Sequence, residues 1–160
     1  MRRIKYLVMD VDGTLTDGKI YMGNNGEMCK AFNIKDGCGI HDLAIPAGMV
    51  PVIITGRTSK ILENRCNELG ITFLYQGVTD KVEKLFLLTD DMTEVAYIGD
   101  DINDLPCMSI IKEKGGLVGC PADASETVLN ISDFVSRKNG GDGAVREFIE
   151  WLLYGGTSSK

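Results

Sequence analysis

Five short apolar runs, Ile4 to Met9, Val50 to Ile54, Phe73 to Tyr75, Val95 to Ile98 and Gly116 to Val118, are separated by stretches whose apolar residues recur at helical spacing. Runs this short and continuous read as strands buried on both faces. Between them, Ile61, Leu62, Cys66 and Leu69 form one helical face, Val82, Leu85 and Phe86 a second, and Ala144, Val145, Phe148, Ile149 and Leu152 a closing one. Strand then helix, repeated, predicts an α/β fold built on a doubly wound parallel sheet. Such sheets bind ligands at the carboxyl ends of their strands, where this chain places Asp10, Thr55 and Asp100.

One stretch breaks the alternation. Ile20 to Met22 and Met28 to Phe32 flank Gly23-Asn24-Asn25-Gly26, whose Asn-Gly pair suits the positive backbone angles of a hairpin turn. The expectation is one domain over residues 1–154, with a β-hairpin inserted at about 18–33 and a frayed glycine- and serine-rich tail at 155–160. The 160 residues, 44% hydrophobic, suffice for one apolar core. No run approaches the eighteen or so apolar residues of a membrane span, and no signal peptide or anchor is read. Five cysteines, odd in number and never in a CxxC pair, suggest reduced thiols and a cytoplasmic location. A net charge of −6 without a basic run argues against nucleic-acid binding.

Asp10-Val11-Asp12-Gly13-Thr14 leaves the first strand with two carboxylates one residue apart. Acidic groups this close repel unless a cation or a shared proton lies between them, which suits divalent metal binding and acid/base work. Taken alone, the pair also suits a surface turn. Thr55-Gly56-Arg57 follows the second long strand, where a hydroxyl and turn N–H groups can hold phosphate oxygens; a helix cap beside an exposed arginine is the plainer alternative. Lys81 opens the next helix and, alone, reads as a solvated charge. Gly99-Asp100-Asp101-Ile102-Asn103-Asp104 puts three carboxylates and an amide within a few residues, more than helix capping explains. With Asp10 and Asp12 they offer the hard oxygen ligands that Mg²⁺ prefers.

These four sites, in this order, resemble the haloacid dehalogenase superfamily of phosphotransferases, whose signatures are DxDGT, a Thr or Ser, a Lys, and GDxxND. The resemblance implies a Rossmann-like core in which Asp10 attacks phosphorus and Asp12 protonates the leaving oxygen and then activates water. It also implies Mg²⁺ held by Asp10, Asp12 (through its backbone carbonyl) and Asp100, with Asp101, Asn103 and Asp104 behind the ligands. Thr55 and Lys81 would stabilise phosphoryl charge. Neither gap between motifs is long enough for a cap domain.

Ile20 to Glu27, Lys30 to Gly37, Asn64 to Ile71, Leu74 to Gly77 and Gly140 to Glu147 are similar to the 3-deoxy-D-manno-octulosonate 8-phosphate phosphatases. That family implies a capless homotetramer joined through its hairpins, with partner subunits covering the site. Carried over by position, substrate contacts fall on Asp12, Asn33, Ile34, Lys35, Asp36, Gly37, His41, Arg57, Arg65 and Lys81. His41 stands where arginine is common in the family, and an exposed helix position explains it equally well. Phosphatases of nine-carbon sialic-type acids share the fold, but an acidic residue tends to replace Arg57 there. A phosphoacceptor receiver domain is also doubly wound with clustered aspartates and a lysine; Asp12 and Thr14 beside Asp10 favour turnover over signalling. A phosphatase-like interaction module is disfavoured because every catalytic position is filled.

Overall fold

The computed structural model describes residues 3–155, so the expected tail beyond Gly155 lies outside the described residues. Six parallel strands form the central sheet: β1 (Tyr6–Met9), β4 (Val50–Ile54), β5 (Phe73–Tyr75), β6 (Val95–Ile98), β7 (Leu117–Cys120) and β8 (Phe134–Val135), in the order β5-β4-β1-β6-β7-β8. β2 (Tyr21–Gly23) and β3 (Gly26–Cys29) pair only with each other, as a hairpin.

Alternation along the strands divides the core in two. Leu7, Met9, Ile53, Ala96 and Ile98 face α2 (Lys60–Leu69) and α6 (Ala144–Tyr154). On the same side lies α1 (Ile34–Cys38), which a π-helical turn continues over Gly39–Ala44. Val8, Val52, Ile54, Tyr97 and Val118 face α3 (Lys81–Leu88), α4 (Leu105–Glu113) and α5 (Glu126–Ile131). With apolar residues required on both faces, the middle strands become the unbroken apolar runs seen in the sequence.

Three expectations are corrected. The last run forms a strand at Leu117–Cys120 rather than 116–118, and β8 went unread because two residues carry no periodicity. The second hairpin strand is Gly26–Cys29, not Met28 to Phe32, so Lys30 leaves the strand and Asn33 already caps α1 by accepting a hydrogen bond from Lys35 N at 2.8 Å. The turn is centred on Asn24 and Asn25, and the one positive φ, 111°, belongs to Gly26. That pattern is a two-residue turn closed by the Gly23–Gly26 pair, not an Asn-Gly pair with both residues left-handed.

Candidate active site

β1 stops at Met9, and the chain turns sharply beneath its own next residues. The Val11 carbonyl accepts from the N–H groups of Thr14, Leu15 and Thr16 at 3.1, 2.9 and 3.1 Å, while Asp10 N donates to Ile98 O of β6 at 3.1 Å. Gly13, at φ +92°, lies so close to the end of β6 that a Cβ there would stand 2.0 Å from Asp100 Oδ2. Only glycine admits both that backbone angle and that neighbour. Thr14 Oγ1 then donates to Asp100 Oδ1 at 3.0 Å.

Lys81, buried at the first turn of α3, donates from Nζ to Asp10 Oδ1 and to Asp104 Oδ1, each at 3.0 Å. Asp104 is held from every side: Tyr97 Oη donates to Oδ1 at 2.6 Å, and the N–H groups of Asp100 and Asp101 donate to Oδ2 at 2.9 and 3.2 Å. Thr55, buried at the end of β4, lies one strand over from Asp10. Asp101 is exposed and caps the short 3₁₀ turn Ile102–Asp104, and Asn103 is exposed beside it.

One oxygen each of Asp10, Asp100 and Asp104 lie within 4.8 Å of one another, three carboxylates against the one ammonium of Lys81. Burial pushes Asp10 up to about 6; the charge of Asp104 adds to it and Lys81 opposes it. Burial, then Asp10 and Asp104, push Asp100 up to about 8. For Lys81 burial alone would lower the pKa, but the two carboxylates outweigh it and raise it. The cluster is therefore short of positive charge, and a divalent ion with a taste for hard oxygen fits it. Asp104 has spent its oxygens on four donors, which leaves Asp10 and Asp100 as the side chains open to an ion.

A second network, missed in the sequence, ties the hairpin to this site. Lys30 Nζ donates to Asp12 Oδ1 at 2.7 Å and pairs with Glu27 Oε2 at 3.1 Å. Ser59 Oγ donates to Glu27 Oε1 at 2.6 Å, and Arg57 Nη2 to Glu27 Oε2 at 3.4 Å. Burial works to raise the Glu27 pKa, but the hydrogen bonds from Ser59 and Lys30 and the charges of Lys30 and Arg57 bring it below its usual value. Residues three apart on one strand would point to opposite faces. They meet because the ladder slips at Met28: Met22 pairs with Glu27 but Tyr21 with Cys29, and the extra residue breaks the alternation.

The expected substrate contacts divide. Arg57 and Lys81 reach the aspartate loop, whereas Ile34 and Lys35 are exposed on α1. Asp36 is 1% exposed and its Oδ1 accepts from Arg146 N at 2.9 Å at the start of α6, while its Oδ2 has no hydrogen-bond partner among the described residues. Gly37 is likewise buried, and a Cβ there would stand 2.4 Å from Arg65 Nη2. Arg65 lies over the Phe32 ring at 5.7 Å and donates to Glu68 Oε2 at 2.8 Å. His41 is exposed on the π-helical turn, with Nδ1 2.7 Å from Asp42 Oδ1. Gly140 and Gly141 pack against the aspartate loop of their own chain: Gly141 N donates to Thr14 O at 3.1 Å, and a Cβ on Gly140 would stand 1.9 Å from Gly13 O.

A parallel sheet without a cap domain, whose adjacent strand ends gather Asp10, Asp12, Thr55, Lys81 and Asp100, defines a phosphohydrolase of the haloacid dehalogenase type. No protein-family model matches the chain. It is 48% identical over 157 residues to 3-deoxy-D-manno-octulosonate 8-phosphate phosphatase KdsC of Escherichia coli K12, covering 94% of this chain and 79% of that one. The crystal structure of the Yersinia pestis 3-deoxy-D-manno-octulosonate 8-phosphate phosphatase superposes with a TM-score of 0.86 at 47% identity, over 96% of this chain and 82% of the other. The Moraxella catarrhalis phosphatase, in complex with magnesium, phosphate and KDO, gives 0.87 at 38% identity over 96% and 87%. The chain belongs to the 3-deoxy-D-manno-octulosonate 8-phosphate phosphatase family.

Proposed function

We propose that the protein is a Mg²⁺-dependent phosphatase that hydrolyses 3-deoxy-D-manno-octulosonate 8-phosphate to the free sugar acid and phosphate, in the cytoplasm, as a step in lipopolysaccharide sugar biosynthesis. The observation that carries the chemistry is the buried Asp10 carboxylate, fixed through Oδ1 by Lys81 at the mouth of the sheet. An Asp10 oxygen attacks phosphorus, the bond from phosphorus to the sugar oxygen breaks, and that oxygen takes a proton from the Asp12 carboxyl. Water then attacks the aspartyl phosphate, the Asp12 carboxylate accepts its proton, and phosphate leaves with Asp10 restored. Lys81 and Thr55 stabilise charge on the phosphoryl oxygens. Mg²⁺, bound by Asp10, Asp100 and the Asp12 carbonyl, supplies further charge stabilisation there.

The eight-carbon reading rests on Arg57 together with the named relatives. A nine-carbon sialic-type acid phosphate is the alternative, and phosphate release from a panel of eight- and nine-carbon keto-acid sugar phosphates decides between them. Faster turnover of a nine-carbon ester would overturn the assignment. For the assembly, the homotetramer reading is supported by the hairpin, where Ile20, Met22 and Met28 are 50, 61 and 70% exposed on a two-stranded insertion too small to cover them. Packing several hairpins together would bury that surface and close the strand edges.

A further inference from the structure

Lys30 is an unusual lysine. Its side chain is 5% exposed, although it follows a hairpin strand whose other residues are half-buried or exposed. Burying an ammonium is costly unless it is paired, and both its partners are carboxylates, Asp12 at 2.7 Å and Glu27 at 3.1 Å. Asp12, in contrast, is 22% exposed and stands beside the negative cluster of Asp10 and Asp100, which repels a free carboxylate. Lys30 holds only Oδ1. Among the described residues no group donates a hydrogen bond to Oδ2, and Arg57 Nε lies 4.0 Å from it.

We infer that Lys30 is a positioning residue for the acid/base step, gripping one oxygen of Asp12 so that the other faces the leaving oxygen. Glu27, anchored by Ser59 and Arg57, in turn fixes Lys30. A residue on the hairpin thereby sets the geometry of a proton transfer made by a residue on the β1 loop. This rests on the phosphatase reading above and extends it to a side chain outside the four motifs.

The test compares two leaving groups. The sugar alkoxide needs a proton as it departs; p-nitrophenolate does not, so an acid held out of place is felt by the first ester and not the second. Because kcat/KM reports steps up to formation of the phosphoenzyme, Lys30→Met is expected to lower it by about 10- to 100-fold on the sugar-acid phosphate, below the full worth of a general acid. On p-nitrophenyl phosphate the loss should stay within about threefold. Lys30→Arg restores most of the sugar-phosphate rate. Should Lys30→Met fail to fold, Glu27→Gln loosens Lys30 without touching Asp12 and should show the same selective loss, smaller in size. An unchanged rate on both esters overturns the inference, and so does an equal loss on both, which would make Lys30 only an anchor for the hairpin. If the wild type prefers another alkyl phosphate, the substrate assignment falls and the comparison is run with that ester. A wild type that hydrolyses neither alkyl nor aryl phosphate ends both readings.

Discussion

Tyr97 donates its hydroxyl proton to Asp104 at 2.6 Å from a side chain with no exposed surface. Burial, with the charge of Asp104 next, keeps that phenol well above its usual pKa, so it stays a donor. Tyr97→Phe leaves the buried Asp104 with one fewer partner. The expected cost is about 1.5 to 3 kcal/mol, the range for a hydrogen bond to a charged group, read as a lower urea midpoint at unchanged slope. An unshifted midpoint would mean that Asp104 is held adequately by Lys81 and the two backbone N–H groups.

Asp10→Asn should abolish phosphate release, since an amide cannot form the acyl phosphate. Asp12→Asn should lose roughly 10²- to 10⁴-fold in rate yet keep Mg²⁺ affinity by calorimetry, because the backbone carbonyl survives the change. Parallel loss of metal binding would make the Asp12 side chain the ligand.

Chelation by EDTA should stop turnover and added Mg²⁺ should restore it. Ca²⁺ should inhibit, because a larger ion that accepts more ligands can engage both oxygens of Asp10 and remove the attacking one. Full activity in excess chelator would refute a metal role.

Asp36 gives a pH signature that is independent of the metal. Burial pushes its carboxyl up to about 6, with the N–H groups of Arg146, Gly143 and Val145 opposing and Asp142 adding. A carboxyl that holds its proton more tightly when folded penalises folding once both states are ionised. Its contribution is therefore best below the ordinary value of 3.8 and is lost as pH rises to about 6. Asn mimics the protonated form, so the stability of Asp36→Asn relative to wild type should improve between pH 4.5 and 7.5, by about 2 kcal/mol. A constant difference across that range would mean that Asp36 ionises normally.

Replacing Tyr21 and Met22 together with Lys places charge on the exposed hairpin face, outside the aspartate cluster. Light scattering should show smaller species, and catalysis should weaken with them. A fully active wild-type monomer would end the tetramer reading and with it the borrowed cover over the site.

The sheet was legible because β1, β4 and β6 are buried on both faces, so every position had to be apolar. The aspartates were legible because carboxylates at strand ends have no place in a core. What stayed hidden depended on partners distant in the chain. Asp36 accepts from the N-terminus of α6, 110 residues away, a bond that no local pattern marks. Lys30 looked like a strand residue because nothing local marks where β3 stops. Nor does anything local show that Gly140 and Gly141, lacking side chains, press against Gly13 and Thr16.

That last contact links the two ends of the chain in time as well as in space. The four motifs are all translated by residue 104, yet the backbone that braces the Asp10 loop is not made until residues 140 and 141 have followed. A nascent chain carrying every catalytic group still lacks the wall behind its nucleophile. Competence therefore arrives late in synthesis, close to the point at which α6 can complete the core and the domain can fold as a unit.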